Sequence, residues 1–279
     1  IITRIDENRL KAYFNICQHR GGPIVDENNC YQQFQCQYHG WIYTNEGKLK
    51  NARGFDKDEL KKSDFNLREI NVSVWNGLMF INFDKRCNSL ESIYEKLEKR
   101  INKRNFSSYQ FYKRDSYNIS CNWKIYMDNY LEGLHIPIVH PELNKTINYK
   151  SYKTETHDQF SLQWCSIDPQ LNPYKNDSSE DLIAYYVTIF PNVILNIAPG
   201  RLQTNIVEPI DEKNCSVHFD YYFEQIDEKQ IQKDLDFSDI IQREDIEICE
   251  LVQASYEAKG FKNGIISKKY ESGILHFHS

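Results

Sequence analysis

The 279-residue sequence contains no run of 18 consecutive apolar residues, so it offers no membrane-spanning helix. It also lacks any block of Lys or Arg. Its 34 basic and 40 acidic residues are mixed along the chain, with a net charge of -6, and nothing would track a phosphate backbone. Neither a membrane nor a nucleic-acid partner is expected. No charged-then-apolar leader is visible, and a soluble cytoplasmic protein is the expectation. The eight cysteines, at 17, 30, 36, 87, 121, 165, 215 and 249, lack the tight regular spacing of a small disulfide scaffold. A chain this long can build a core without such staples, and most of the thiols read as reduced and buried. No internal repeat is present. The first residue is Ile, and "LKAYFNIC" reads as a strand already running by residue 10, so the chain reads as a fragment lacking its natural start.

What is present falls into two parts. The runs "KAYFNI", "YQQFQC", "NVSVW" and "LMFINF", punctuated by "RGG", "NEG" and "NG", predict a small antiparallel β domain over residues 1–84. From 89 to 103, "SLESIYEKLEKRINK" switches to helical spacing, with Leu90, Ile93, Tyr94, Leu97 and Ile101 on one stripe. A boundary near 84–88 follows, with a larger domain over 85–279. There "CNWKIYMDNYLEGLH" (121–135) suits a helix, and four runs between 182 and 225 read as strands of one sheet. A long helix is expected over 228–258, with Ile240, Ile241, Ile248, Leu251 and Val252 as its apolar members. The fold class is α+β, a small antiparallel β domain followed by a helix-flanked, mostly antiparallel sheet. The polar stretch "DPQLNPYKNDSSED" (168–181) reads as a mobile surface segment or lid.

Two short motifs carry chemistry in the first part. "CQHRGG" supplies Cys17 and His19, and "CQYHGW" supplies Cys36 and His39. Structural zinc sites usually pair cysteines in one knuckle and histidines on a helix. Here each loop contributes one of each, which fits a Rieske 2Fe-2S centre, where two thiolates hold one iron and two imidazoles the other. Gly21, Gly22 and Gly40 let the backbone turn tightly around such a group. Cys30 has no histidine partner and reads as a packed thiol.

The second part holds "DNYLEGLHIPIVHPEL" (128–143), with His135 and His140 five residues apart. On an unbroken helix that spacing turns the two side chains apart. Pro137 is expected to disrupt the helix between them and bring His140 back, with Pro141 holding the exit. Glu132, three residues before His135, is expected on the same helical face. Two histidines and a carboxylate with open positions form the facial triad of non-haem Fe(II) oxygenases. The missing carboxylate is expected from "REDIEICELVQ" (243–253), where Asp245 points inward with Ile241, Ile248 and Cys249. Periodicity leaves Glu244 open as well.

Taken together, "CQHRGG", "CQYHGW", "NWKIYMDNYLEGLHIPIVHPEL" and "EDIEICELVQ" resemble the catalytic (alpha) subunit of Rieske non-haem iron oxygenases, and the resemblance covers nearly the whole chain. It implies that Cys17, His19, Cys36 and His39 bind the cluster, and that His135, His140 and Asp245 bind a mononuclear Fe(II). It further implies that Glu132 bridges toward a cluster histidine of a neighbouring subunit in a homotrimer, with Asp128 near the iron or on the electron path. Electrons would come from NAD(P)H through a flavin-containing reductase or a ferredoxin. "DNYLEGLH", "PIVHPEL" and the ending "ESGILHFH" are most similar to the choline and carnitine oxygenase branch. The implied reaction is O2-dependent hydroxylation or dealkylation of a small quaternary ammonium or N-methyl compound. A ring-hydroxylating dioxygenase or an O-demethylase is the alternative enzyme, and a Rieske electron carrier the alternative of another class. An aromatic cage for a fixed cation would draw on Tyr130, Trp164, Tyr185, Tyr186, Tyr221 and Tyr222. His157, His218, His276 and His278 are expected to be structural or surface residues without a chemical partner.

Overall fold

Alternating strands dominate the first part of the chain, as the turn signals predict. In the computed structural model, which describes residues 1–56, 58–101, 104–168 and 182–279, seven strands precede the first α-helix. They are β1 (Ile2–Asp6), β2 (Arg9–Tyr13), β3 (Gln33–Gln35), β4 (Ile42–Thr44), β5 (Leu49–Asn51), β6 (Glu69–Trp75) and β7 (Leu78–Asn82). They form two sheets, of order β1-β2-β6-β7 and β3-β4-β5, and every pairing is antiparallel. The β6–β7 hairpin turns on Asn76 and Gly77, both at positive φ, which is the two-residue geometry that Asn-Gly favours. Tyr13, Phe34, Trp41, Tyr43 and Leu67 fill the core beneath, together with Cys17 and Cys36.

Helix α1 (Leu90–Arg100) is capped by Ser89, whose side chain accepts from the Ser92 amide. It buries Ile93 and Leu97. Tyr94 stacks on Trp75 at 6.3 Å, and the Trp75 indole donates to Glu98 at 2.8 Å. These contacts group α1 with the preceding strands. The compact units are 1–103 and 104–279, so the division comes later in the chain than the change of periodicity at 84–88 suggests.

The second unit is built on one seven-stranded antiparallel sheet of order β8-β14-β13-β12-β11-β10-β9. Its strands are β8 (Gln110–Ile119), β9 (Lys153–His157), β10 (Phe160–Ser166), β11 (Ile183–Ile189), β12 (Val193–Ala198), β13 (Arg201–Pro209) and β14 (Cys215–Phe223). β9 to β14 run as a meander, and β8 closes the far edge against β14. The helices are α2 (Trp123–Tyr130), α3 (Ile136–Val139), α4 (Pro141–Thr146), α5 (Glu228–Glu257) and α6 (Ser272–Phe277). Tyr126, Met127 and Leu131 from α2 and its end, Ile231, Leu235 and Cys249 from α5, and Ile274 and Phe277 from α6 share one core with Ile194, Val207, Phe219 and Tyr221 of the sheet. This is the α+β architecture the sequence implies.

Four local expectations need correction. The helix expected through residue 135 ends at Tyr130, and Leu131 to His135 is irregular. Pro137 does not break a helix; it lies in the first turn of α3, where its missing N–H has no intrahelical partner to lose. On α5, Ile240 and Leu251 face solvent, whereas Asp234, Gln242 and Gln253 are buried. The cysteines are all free, and six are buried, but Cys30 is exposed rather than packed. From residue 169 to its end, the polar stretch expected to form a lid lies outside the described residues. Among the described residues no helix is long and apolar enough to cross a membrane.

Candidate functional site

The two Cys/His motifs of the first unit fold into a matched pair of turns. The Gly21 amide donates to the Cys17 carbonyl at 2.9 Å, and the Gly40 amide to the Cys36 carbonyl at 3.0 Å. Gly21 (φ +75°) and Gly40 (φ +72°) both occupy the left-handed region that closing such a turn requires. The chain re-enters each turn equivalently, with the Cys17 amide donating to Gly22 and the Cys36 amide to Trp41. Gly22 is needed for space as well. A Cβ there would lie 2.8 Å from Tyr38 Cβ and 3.1 Å from Cys36 Sγ.

This arrangement sorts the four side chains by type. The Cys17 and Cys36 thiols are buried in the same cluster, and the His19 and His39 rings stand 4.6 Å apart. Trp41 stacks on His19 at 4.7 Å and fixes its plane. Burial raises the Cys17 thiol pKa, and the Tyr43 hydroxyl, 3.3 Å from Sγ, works against that shift. His19 Nδ1 is buried without a hydrogen-bond partner. An orphaned imidazole nitrogen is destabilising in a protein interior unless something else completes it, and a metal would. A single zinc would draw all four ligand atoms around one point. Among the described residues no three of these atoms lie within 4.8 Å of one another. Thiols on one side and imidazoles on the other fit a two-iron cluster.

In the second unit, His135 caps the start of α3 and His140 the start of α4, so one helical turn separates the two rings. Their centroids are 5.1 Å apart. α5 brings Asp245 between them, with Oδ1 3.0 Å from His140 Nε2 and 3.8 Å from His135 Nε2. Among the described residues these three are the only His, Cys, Asp or Glu side chains whose ligand atoms gather within 4.8 Å. Each histidine is held on its other nitrogen by a carboxylate. Glu132 Oε1 is 2.5 Å from His135 Nδ1, and Glu244 Oε2 is 2.7 Å from His140 Nδ1. Such partners turn Nε2 toward a metal and raise its basicity. Glu132 also accepts the Leu134 amide, so the irregular backbone after α2, rather than a helical face, positions it. Burial pulls the His140 pKa down, but Asp245 and Glu244 outweigh it and hold the imidazole above its ordinary value. Asn129 donates to Asp245 at 2.5 Å and steadies the third carboxylate.

Asp128 goes elsewhere. Its Oδ1 pairs with His278 Nε2 at 2.8 Å, one helical turn from Glu132 but outside the triad. Burial raises the Asp128 pKa, against the effect of His278. His278 thus has a partner that its sequence did not reveal. The same holds for His157, with Glu155 at 3.1 Å, and for His218, with Ser116 at 2.8 Å.

The triad opens into a cavity of about 150 Å3. Of the aromatic residues expected to form a cage, Tyr130 and Tyr186 line it, joined by Tyr126, Tyr152, Phe219 and Phe237. Trp164, Tyr185, Tyr221 and Tyr222 are not in the wall. Strand alternation separates Tyr186 from Tyr185, which packs under Arg104 at 5.3 Å. The Tyr152 and Tyr186 rings stack at 6.3 Å, and Tyr130 meets Tyr186 edge to face at 6.5 Å. Gly133 makes this possible, since a Cβ there would stand 2.7 Å from the Tyr152 ring. Across the cavity Arg201 is buried against Asp234 at 2.8 Å and donates to Gln203 and Ser238. Nothing in the sequence pattern marked Gln203, Ser238 or Gln242 as wall residues.

A β domain with paired Cys/His turns is followed by an antiparallel sheet whose helices gather two histidines and an aspartate, a layout with two separate candidate metal centres. Comparison with known families agrees. Residues 1–71 match the Rieske [2Fe-2S] domain and residues 106–279 the ring hydroxylating alpha subunit (catalytic domain), and the chain belongs to that family. These two domains carry a Rieske 2Fe-2S cluster and a mononuclear iron. The chain is 27% identical over 288 residues to the chloroplastic choline monooxygenase of Spinacia oleracea, covering all of this chain and 65% of that protein. It is 27% identical to the carnitine monooxygenase oxygenase subunit of Escherichia coli K12, covering 79% of it. The fold superposes on the quaternary ammonium Rieske monooxygenase CntA with a TM-score of 0.81 at 23% identity, over 99% of this chain and 79% of CntA. The chain thus spans about two thirds of the length of the choline monooxygenases it resembles.

Proposed function

We propose that this protein is the catalytic component of a Rieske oxygenase that uses O2 to hydroxylate or oxidatively dealkylate a small quaternary ammonium or N-methyl compound. The observation that carries the reading is the convergence of His135, His140 and Asp245 on the wall of an aromatic cavity. A Rieske electron carrier would have no use for it. The first unit (1–103) would carry the cluster on Cys17, His19, Cys36 and His39, and the second (104–279) the iron on the triad. Bound there, the iron supplies O2 activation and the cluster supplies single electrons.

The chain's own residues have distinct parts. Glu132 and Glu244 hold the Nδ1 sides of His135 and His140, so both imidazoles offer Nε2, and Asn129 keeps Asp245 turned inward. Tyr130, Tyr152 and Tyr186 present π faces, the surface that best holds a fixed positive charge with no hydrogen to donate. The Tyr130 hydroxyl donates to Asn196 and the Tyr152 hydroxyl to Gln163, which fixes these two rings before substrate arrives. The relatives named for choline and carnitine support the same substrate class. Glu132 is proposed to extend the electron path toward a neighbouring subunit in a cytoplasmic homotrimer, fed by a flavin-containing NAD(P)H reductase or a ferredoxin. Asp128, paired with His278, would serve that path indirectly by fixing the end of the chain beside α2.

Oxygen uptake by the holoenzyme with a surrogate reductase tests this reading. Choline or carnitine should stimulate uptake and be consumed. Stimulation by aromatic compounds alone would move the protein to ring hydroxylation.

A further inference from the structure

Gln242 stands out from its surroundings on α5. It lies three residues before Asp245, so the two side chains share a helical face, and both belong to the cavity wall. Gln242 is 2% exposed. Its Oε1 accepts a hydrogen bond from the Tyr126 hydroxyl at 2.8 Å. Tyr126 is itself buried, and burial pushes its phenol far above the ordinary value, so it stays protonated and donates. That bond sets the amide: Oε1 faces Tyr126, and Nε2 is turned the other way. Nε2 is buried and has no hydrogen-bond partner among the described residues. A buried amide donor left unpaired is destabilising, and a site that keeps one discriminates for a ligand that carries the matching acceptor.

We infer that Gln242 is a specificity-determining residue whose amide donates to a neutral oxygen, a hydroxyl, on the substrate. The inference rests on the quaternary ammonium reading and narrows it. A quaternary nitrogen has no acceptor of its own, so the acceptor must lie further along the molecule. With the cationic end among the tyrosines, an oxygen at Gln242 sits about one helical turn from Asp245. That places the intervening carbons beside the triad. The oxygen is neutral because Arg201, the only Lys or Arg in the described wall, is already balanced by Asp234. A substrate carboxylate there would gain no uncompensated cation for its desolvation.

Isothermal titration of the holoenzyme with three probes tests this: choline, ethyltrimethylammonium (the same skeleton without the hydroxyl) and γ-butyrobetaine, which has a carboxylate and no hydroxyl. Choline should bind about tenfold more tightly than either of the others. In Gln242→Met, a change that keeps volume and removes the donor, choline should fall to the level of ethyltrimethylammonium, whose own affinity stays put. Tyr126→Phe, which frees the amide to rotate, should lose part of the same preference. Equal weakening of choline and ethyltrimethylammonium in Gln242→Met would make Gln242 a merely structural residue and overturn the inference. So would wild-type protein that fails to distinguish the two or prefers γ-butyrobetaine, and that comparison needs no variant. Absence of binding by all three would instead overturn the quaternary ammonium reading, and this inference with it.

Discussion

Asp245→Asn and Glu244→Gln alter neighbouring residues by the same single atom, yet the geometry assigns them unequal consequences. Asp245 meets the Nε2 atoms of both histidines, at 3.0 and 3.8 Å, whereas Glu244 meets only the Nδ1 of His140, at 2.7 Å. On the proposed assignment, removing the Asp245 charge takes away one of three protein ligands and the anion that would offset a divalent cation. Iron should then be absent from purified protein. Glu244→Gln keeps an acceptor oxygen for Nδ1–H and loses only its charge. Outer partners of this kind are worth about 10- to 100-fold in metal affinity, or about 1.4–2.7 kcal/mol. The glutamine variant should fall near the lower end and Glu244→Ala, which removes the acceptor from a buried imidazole, near the upper. The assay is competition for Fe(II) against a chelator of known affinity, with cluster absorbance in the same sample showing that the first unit is intact. Loss of iron from Glu244→Gln with retention in Asp245→Asn would reverse the assignment and refute the reasoning.

Further expectations follow from the same contacts. Gly133→Ala drives a methyl group into the Tyr152 ring, 2.7 Å away, and should cost about 1–3 kcal/mol of stability through overpacking, read as a lowered melting temperature, while weakening binding of a quaternary ammonium probe. Tyr43→Phe removes the hydroxyl 3.3 Å from Cys17 Sγ; burial keeps that phenol protonated, so its loss should lower the cluster's reduction potential in protein film voltammetry. An unchanged potential would show that the hydroxyl does not reach the sulfur in the loaded protein. Native protein treated with a thiol reagent near pH 7 should label Cys30 rapidly and leave Cys165 untouched, because Cys30 is exposed while burial pushes the Cys165 thiol up to about 12. Rapid labelling of Cys165 would contradict the packing around Tyr186.

The parts of the site written locally in the chain were legible from it. Cys17 with His19, and Cys36 with His39, each sit within one turn, so the residue order fixed the pairing of loops before any fold was known. His135 and His140 were equally visible, though by a different geometry than helical spacing suggested. The chain makes a short irregular segment and two fresh helix starts, with Pro137 and Pro141 inside the first turns. What the pattern concealed depended on tertiary contacts. Asp245 and Glu244 both lie near the buried stripe of α5, and only the placement of His140 between them shows which carboxylate meets Nε2 and which meets Nδ1. The inner face of α5 carries Gln242 and Asp245 because it borders the cavity, and Asp234 because it pairs with Arg201. Its hydrophobic signal is therefore weak, and Ile240 and Leu251 mislead. β8, whose residues alternate with charged and polar neighbours at the sheet edge, escaped notice for a similar reason.

The most direct measurement of the central claim is a single turnover. Protein with its cluster chemically reduced and Fe(II) loaded is mixed with isotopically labelled O2 and a quaternary ammonium compound, and the products are read by mass spectrometry. The account predicts one oxidised product per active site, as a labelled hydroxylated compound or as an aldehyde and its amine, and none from His135→Ala protein whose cluster is intact. Oxidation of the cluster without any product from a fully loaded sample, or equal product from His135→Ala, would contradict it.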